Sequence, residues 1–229
     1  MELTINNITK QYGNVTVLDD VSYRFTPGIY GILGANGAGK TTLFRIICGL
    51  MRANCGNIQY DHKDIALQAE YYRSILGFLP QDFRYYPDFT GLNFMMYIAS
   101  LKGLNGKIAK KRCLDLLIQV GLDDVKNKKI RKYSGGMKQR NTIAQAMINN
   151  PEILILDEPT VGLDPKERVK FRKLISSFAS EKIVLLSTHI VSDIEYIADE
   201  IIILKKGRIE NTGTIRYLLK DINKCVWEC

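Results

Sequence analysis

Three glycines, a lysine and two threonines fall in a fixed order in Gly34-Ala35-Asn36-Gly37-Ala38-Gly39-Lys40-Thr41-Thr42. The order fits the pattern GxxxxGK[ST]. Glycines at these positions let the backbone turn tightly, so that successive N–H groups point inward toward an anion. Lys40 adds a point charge suited to β- and γ-phosphates, and Thr41 offers a hydroxyl oxygen to a hard cation such as Mg²⁺. The aliphatic run Ile29 to Leu33 leads into the loop, and Thr41 to Gly49 reads as a helix after it. Such a helix presents its positive N-terminal end to the same anion. The ligand implied by this strand–loop–helix order is the phosphate chain of a nucleoside triphosphate.

A second group complements the first. The buried-type run Ile153 to Leu156 ends in Asp157-Glu158-Pro159-Thr160. Side chains at the carboxyl end of a parallel strand emerge into the ligand crevice. Asp157 is therefore expected to hold Mg²⁺, directly or through water, and Glu158 to orient or activate an attacking water. No other aliphatic run in the chain ends in two adjacent carboxylates.

The elements that must carry these residues are legible as runs. Ile29 to Leu33, Ile153 to Leu156, Ile183 to Leu186 and Ile201 to Leu204 are continuously aliphatic, as strands buried on both faces of a parallel sheet require. Helix-length segments lie between them, at Thr41 to Gly49, Met137 to Ile148 and Lys166 to Ala179. Leu3 to Phe25 instead reads as short antiparallel strands, punctuated by Gly13-Asn14 and Pro27-Gly28. From about Pro87 to Lys132 no strand is evident, and Gly91 to Leu101 and Lys107 to Val120 read as helices. The expected fold is α/β: a P-loop core on a mostly parallel sheet, with an N-terminal antiparallel β region and an inserted helical subdomain. The expected division is a core of residues 1–82 and 133–229 and a helical subdomain of residues 83–132.

Composition narrows the function classes. The 229 residues include 32 Lys+Arg and 24 Asp+Glu, for a net charge of +8. The basic residues concentrate at Lys107, Lys110, Lys111 and Arg112 and at Lys126, Lys128, Lys129, Arg131 and Lys132. A solvated helical face accounts for such runs, and without an aromatic-interleaved basic strand or zinc finger no nucleic-acid partner is expected. No apolar run reaches the roughly 18 residues of a membrane span, and the opening Met-Glu-Leu-Thr-Ile-Asn-Asn lacks the form of a secretory signal. Cys48, Cys55, Cys113, Cys225 and Cys229 are odd in number and scattered, so reduced thiols in a cytoplasmic setting are expected. The tail Cys225-Val-Trp-Glu-Cys229 reads as the start of another strand.

The remaining motifs separate the P-loop families. Asn127-Lys128-Lys129-Ile130 lacks the Asp of a guanine-reading NKxD motif. The chain has instead Tyr133-Ser134-Gly135-Gly136-Met137-Lys138-Gln139-Arg140, shortly before the strand that ends in Asp157. Here it resembles the ATP-binding subunit of ABC transporters, whose signature is LSGGQ. The resemblance extends over nearly the whole chain, with the motifs in the family's order.

That resemblance implies a set of roles. Tyr12 matches the aromatic that stacks on adenine, and Gln81, in Leu79-Pro80-Gln81-Asp82, the glutamine that reaches Mg²⁺ and the attacking water. Val161-Gly162-Leu163-Asp164 matches the loop that communicates across a dimer, and His189, in Ser187-Thr188-His189, the histidine that contacts the γ-phosphate. Ser134 and the Gly135-Gly136 backbone match the signature that faces ATP bound to the other subunit. Two chains, identical or paired, would thus close head to tail around two ATP molecules. Tyr133 in place of Leu and Met137 in place of Gln depart from the family pattern, and the contact made by that Gln is not expected here. The form YSGGMKQR, with the stretch Leu79 to Gly91, resembles subunits paired with drug, antibiotic or peptide exporters. The implied protein is an ATPase peripheral to the inner face of the cell membrane, with separate membrane-spanning subunits docking around Gln81 to Ser100, where Phe83, Tyr85, Tyr86, Phe89 and Phe94 are candidate contacts, core packing being the equal alternative for half of them. The alternative is a soluble ABC-type ATPase acting on the ribosome or nucleic acid.

Overall fold

A computed structural model describes residues 1–218. Its centre is a six-stranded sheet in the order β10-β9-β3-β8-β7-β6. The strands are β3 (Gly28–Leu33), β6 (Leu76–Leu79), β7 (Ile153–Asp157), β8 (Ile183–Thr188), β9 (Glu200–Lys205) and β10 (Arg208–Gly213). All neighbours run parallel except the β9–β10 hairpin. The four aliphatic runs expected as strands are the cores of β3, β7, β8 and β9, each extended by one or two residues. Their continuity has the anticipated cause. In β7, Ile153 and Ile155 pack toward one layer while Leu154 and Leu156 pack toward the other.

The first layer contains α1 (Lys40–Ile47) and a four-stranded antiparallel sheet, order β2-β1-β4-β5. That sheet is built from β1 (Leu3–Tyr12), β2 (Val15–Phe25), β4 (Cys55–Tyr60) and β5 (Lys63–Asp64). The antiparallel hairpin was expected; β4 and β5, which join it from beyond α1, were not. The second layer holds α3 (Gly91–Leu101), α4 (Gly106–Gln119), α5 (Gly135–Ala146) and α6 (Pro165–Phe178). Short helix α2 (Ala69–Ser74) precedes β6, and α7 (Val191–Ile194) follows β8.

The helix ends follow local chemistry. Thr90, Asn105, Ser134 and Asp164 each accept a backbone N–H from the first turn of α3, α4, α5 and α6. Capping places the starts of α5 and α6 one or two residues earlier than hydrophobic periodicity alone suggests. Between Pro87 and Lys132 the structure has helices, two 3₁₀ turns and one isolated bridge, Thr90 with Lys129. The tail Cys225 to Cys229 lies outside the described residues.

Candidate functional site

Neighbouring parallel strands β3, β8, β7 and β6 all end on one edge of the sheet. That edge receives Gly34–Lys40 from β3, His189 from β8, Asp157 and Glu158 from β7, and Gln81 from just beyond β6. Sequence-distant chemistry is thus collected by strand order.

The glycine loop is shaped for close approach. Gly37 and Gly39 take left-handed φ values of 82° and 108°, which side chains with a Cβ resist. A Cβ on Gly39 would also stand 2.8 Å from the Val17 carbonyl oxygen, so β2 presses against the loop from outside. Lys40 opens α1 and is buried, donating to the carbonyl oxygens of Gly34 (2.7 Å) and Ala35 (3.3 Å). Its Nζ also lies 3.3 Å from Glu158 Oε1, an ion pair with both side chains about 5% exposed.

Glu158 carries a further constraint. Its φ is +49°, a left-handed backbone in a residue that is not glycine, and such positions concentrate at functional sites. Its backbone N–H donates to Ser187 Oγ at 2.8 Å, while the same hydroxyl donates to Asp157 Oδ1 at 2.5 Å. One serine therefore fixes both carboxylate-bearing residues. Glu158 Oε2 faces His189 Nδ1 at 2.9 Å. A carboxylate only accepts, so Nδ1 donates in this contact.

Asp157 is 1% exposed, and its Oδ2 has no hydrogen-bond partner among the described residues. Burial raises its pKa above the ordinary value, opposed by the hydroxyls of Ser187 and Thr41. An orphaned carboxylate oxygen beside the Thr41 hydroxyl is an oxygen donor set that fits a hard divalent cation.

The other expected residues make no hydrogen bond or ion pair to this cluster among the described residues. Gln81 is exposed beyond the end of β6. Tyr12 ends β1, 47% exposed, with its hydroxyl donating to Met51 Sδ and Lys10 Nζ over its ring at 5.4 Å. Ser134 caps α5, its Oγ accepting from Met137 N–H at 3.2 Å. No hydrogen bond or ion pair among the described residues joins Ser134, Gly135 or Gly136 to Gly34–Thr42. Gly136 instead packs against Glu167 of α6, and Gly135 faces the Val161–Asp164 loop, with Gly162 O 3.9 Å from an added Cβ.

The departures from the signature pattern have a structural account. Tyr133 is 5% exposed and donates to the Val125 carbonyl oxygen at 2.9 Å, and Gly91 leaves the space its ring occupies. Met137 packs partly into the core beneath α5.

Of the aromatics between Gln81 and Ser100, Phe94 is buried, Phe83 packs on the core, and Tyr85 is half-buried with its hydroxyl accepting from Thr142. Tyr86 is exposed, stacked on Phe89 at 5.1 Å, and Tyr97 joins both edge-on. Ser187 is the residue whose part sequence reasoning missed. It lies in the quoted Ser187-Thr188-His189, but serine carries no spacing signal of its own, and only the β7–β8 pairing of Asp157 with Ser187 reveals it.

The described helices include none long and apolar enough to cross a membrane. The family profile described as ABC transporter matches residues 18–161. The chain is 34% identical over 225 residues to the Nod factor export ATP-binding protein I of Burkholderia orbicola, covering 97% of this chain and 74% of that protein. It is 35% identical over 214 residues to the linearmycin resistance ATP-binding protein LnrL of Bacillus subtilis, covering 93% and 69%. The dimeric structure of a bacterial ABC transporter cassette superposes with a TM-score of 0.83 at 29% identity, covering 93% of this chain and 99% of that one. Motif order, sheet topology and these similarities agree: the chain belongs to the ABC transporter family, as an ATP-binding subunit with ATPase activity.

Proposed function

We propose that this chain closes head to tail with a second copy, or with a paired ATPase subunit, around two ATP molecules and so drives export through separate membrane subunits. The observation that carries the reading is the split between two motifs. The loop Gly34–Thr42 is assembled with Asp157, Glu158 and His189 at one sheet edge, whereas Ser134–Gly136 opens α5 with its serine exposed and without a bond to that loop. A helix N-terminus with an exposed serine suits phosphate, and a second chain can bring it there.

Within one chain, the N–H groups of Gly34–Lys40 cradle the phosphates, Lys40 turns from Glu158 to them, and Tyr12 stacks on the base. Thr41, Thr42, Asn36 and Ala38 complete the loop, and Ser134, Gly135 and Gly136 complete the partner's site. Asp157, Thr41 and Gln81 are the residues that would hold Mg²⁺, which when bound supplies charge neutralisation at the phosphate oxygens. Glu158 accepts a proton from, or orients, the attacking water, and His189 is held by Glu158 toward the γ-phosphate. ATP bridges two chains and ADP does not, so turnover shifts an open–closed equilibrium.

Export is supported by the printed roles of the relatives, Nod factor export and linearmycin resistance. The exposed Tyr86 and Tyr97 with the half-buried Phe89 between them, on the segment within residues 83–132 that we assign as the helical subdomain, offer the membrane subunit an aromatic seat at the cytoplasmic face. Glu158→Gln tests the sandwich: it binds ATP, stops turnover and accumulates as a dimer. A Glu158→Gln chain that stays monomeric at saturating ATP would overturn the proposal.

A further inference from the structure

The loops that carry Glu158 and His189 are joined behind the site by a buried polar network. Asp193, 2% exposed at the start of α7, lies four residues after His189. Its Oδ2 accepts from Thr160 Oγ1 at 2.5 Å, and Thr160, 1% exposed, follows Glu158 by two residues. Both Asp193 oxygens accept from Arg168 Nη1 at 3.0 Å. Arg168 sits in α6, and its Nε donates to the Leu163 carbonyl oxygen at 3.2 Å. Three segments therefore meet on one carboxylate: the turn after β7, the 161–164 loop with the start of α6, and the segment after β8.

A buried ion pair is weak evidence for stability, because desolvation offsets the attraction. Its strength is geometric, since each donor fixes an angle as well as a distance. The network crosses between chain segments that otherwise meet through backbone pairing only as far as Asp157 and Ser187. Beyond that point β7 has ended and β8 keeps only Thr188, paired with Leu33 of β3, yet Glu158 Oε2 and His189 Nδ1 still meet at 2.9 Å.

We infer that Thr160, Arg168 and Asp193 form a positioning clamp that holds His189 in register with Glu158 and ties this pair to the 161–164 loop. None of the three touches the phosphate loop through a hydrogen bond or ion pair among the described residues. Their effect on turnover passes through His189 and Glu158, so the inference rests on the proposed roles of those two residues. It adds that the 161–164 loop and the hydrolytic pair move together, because Arg168 grips both.

The test separates positioning from folding. The triple variant Thr160→Val, Arg168→Met, Asp193→Leu replaces the network with apolar groups of similar volume, a change that buried ion networks tolerate in stability. The expected result is a thermal midpoint and ATP affinity close to those of the parent, with kcat lowered about 100-fold by loss of alignment and KM little changed. A triple variant that keeps both stability and turnover would reduce the network to packing and overturn the inference. Should that variant fail to fold, Thr160→Val and Arg168→Lys, which keep the buried charge compensated, are read for the same kcat-against-KM split; kcat unchanged in both overturns the clamp. Glu158→Gln and His189→Ala run in parallel. If either turns over at the parental rate, the proposed roles fall; if both stall while the clamp variants run normally, only the clamp falls.

Discussion

At the residue scale the site turns on two groups that compete for little space. Ser187 spends one hydroxyl on Asp157 and on the Glu158 backbone, on a fully buried strand position. Ser187→Ala leaves a buried N–H without an acceptor and a carboxylate oxygen without a donor, a loss of about 1–3 kcal/mol. The kinetic consequence is specific, because the left-handed Glu158 backbone loses its restraint: turnover falls while equilibrium ATP binding holds, which stopped-flow and steady-state assays separate. Asp157 shows the opposite balance. Its carboxyl is raised above 3.8 chiefly by burial, so the folded chain keeps a proton at pH values where the unfolded chain has released it. Stability from this group is complete below 3.8 and declines as pH rises through the raised value. Asp157→Asn removes the decline. In EDTA without nucleotide, the variant has the higher thermal midpoint at neutral pH, and its advantage shrinks as pH falls toward the ordinary carboxylate range. An advantage that persists unchanged at low pH would show that ionisation is not its source.

At the element scale, α3 and the approach to α5 are fitted to each other. Tyr133 reaches Val125 across the start of α3, where a Cβ on Gly91 would strike the tyrosine hydroxyl and approach the ring carbon Cζ to 3.2 Å. Gly91→Ala therefore overpacks this contact at a cost of about 1–3 kcal/mol, and adding Tyr133→Leu recovers part of it. A double-mutant cycle by denaturant unfolding reads the coupling; additive effects would disprove the fit. The same elements show what a chain reveals before folding. The β3, β7, β8 and β9 runs were legible because burial on both faces demands unbroken aliphatics. Edge strand β6 was missed: it has four residues, one of them Gly77, which closely approaches the Ala146 carbonyl and Pro151. Strand β4 was missed because Cys55-Gly-Asn-Ile-Gln-Tyr60 gains its partner only by returning to β1 across α1. In the site, Lys40, Asp157 and Glu158 were legible from spacing and His189 from family resemblance, and the structure brings all four together. The Thr160–Arg168–Asp193 network was not, since three common polar residues separated by up to 33 positions form no pattern along a chain.

At the scale of the whole molecule, the proposed pairing divides one nucleotide site between the sheet edge of one chain and the start of α5 of the other. Two substitutions isolate the halves. Lys40→Ala removes the buried cation of the loop, and Ser134→Arg puts a bulky charge at the exposed cap of α5, with a capping loss of about 1 kcal/mol. Each variant alone lacks a complete site in every self-pair. In a mixed pair, the intact loop of the Ser134→Arg chain meets the intact α5 start of the Lys40→Ala chain, and one of the two sites is whole. Two purified variants with negligible turnover are therefore expected to recover ATP hydrolysis on mixing, with a concentration dependence that reports association. A site completed within one chain predicts no recovery at any ratio, because each polypeptide would carry its own defect. Recovery that is linear in the Ser134→Arg chain alone would indicate residual activity of that variant, and dilution distinguishes it, since only the shared site is lost as the pair separates.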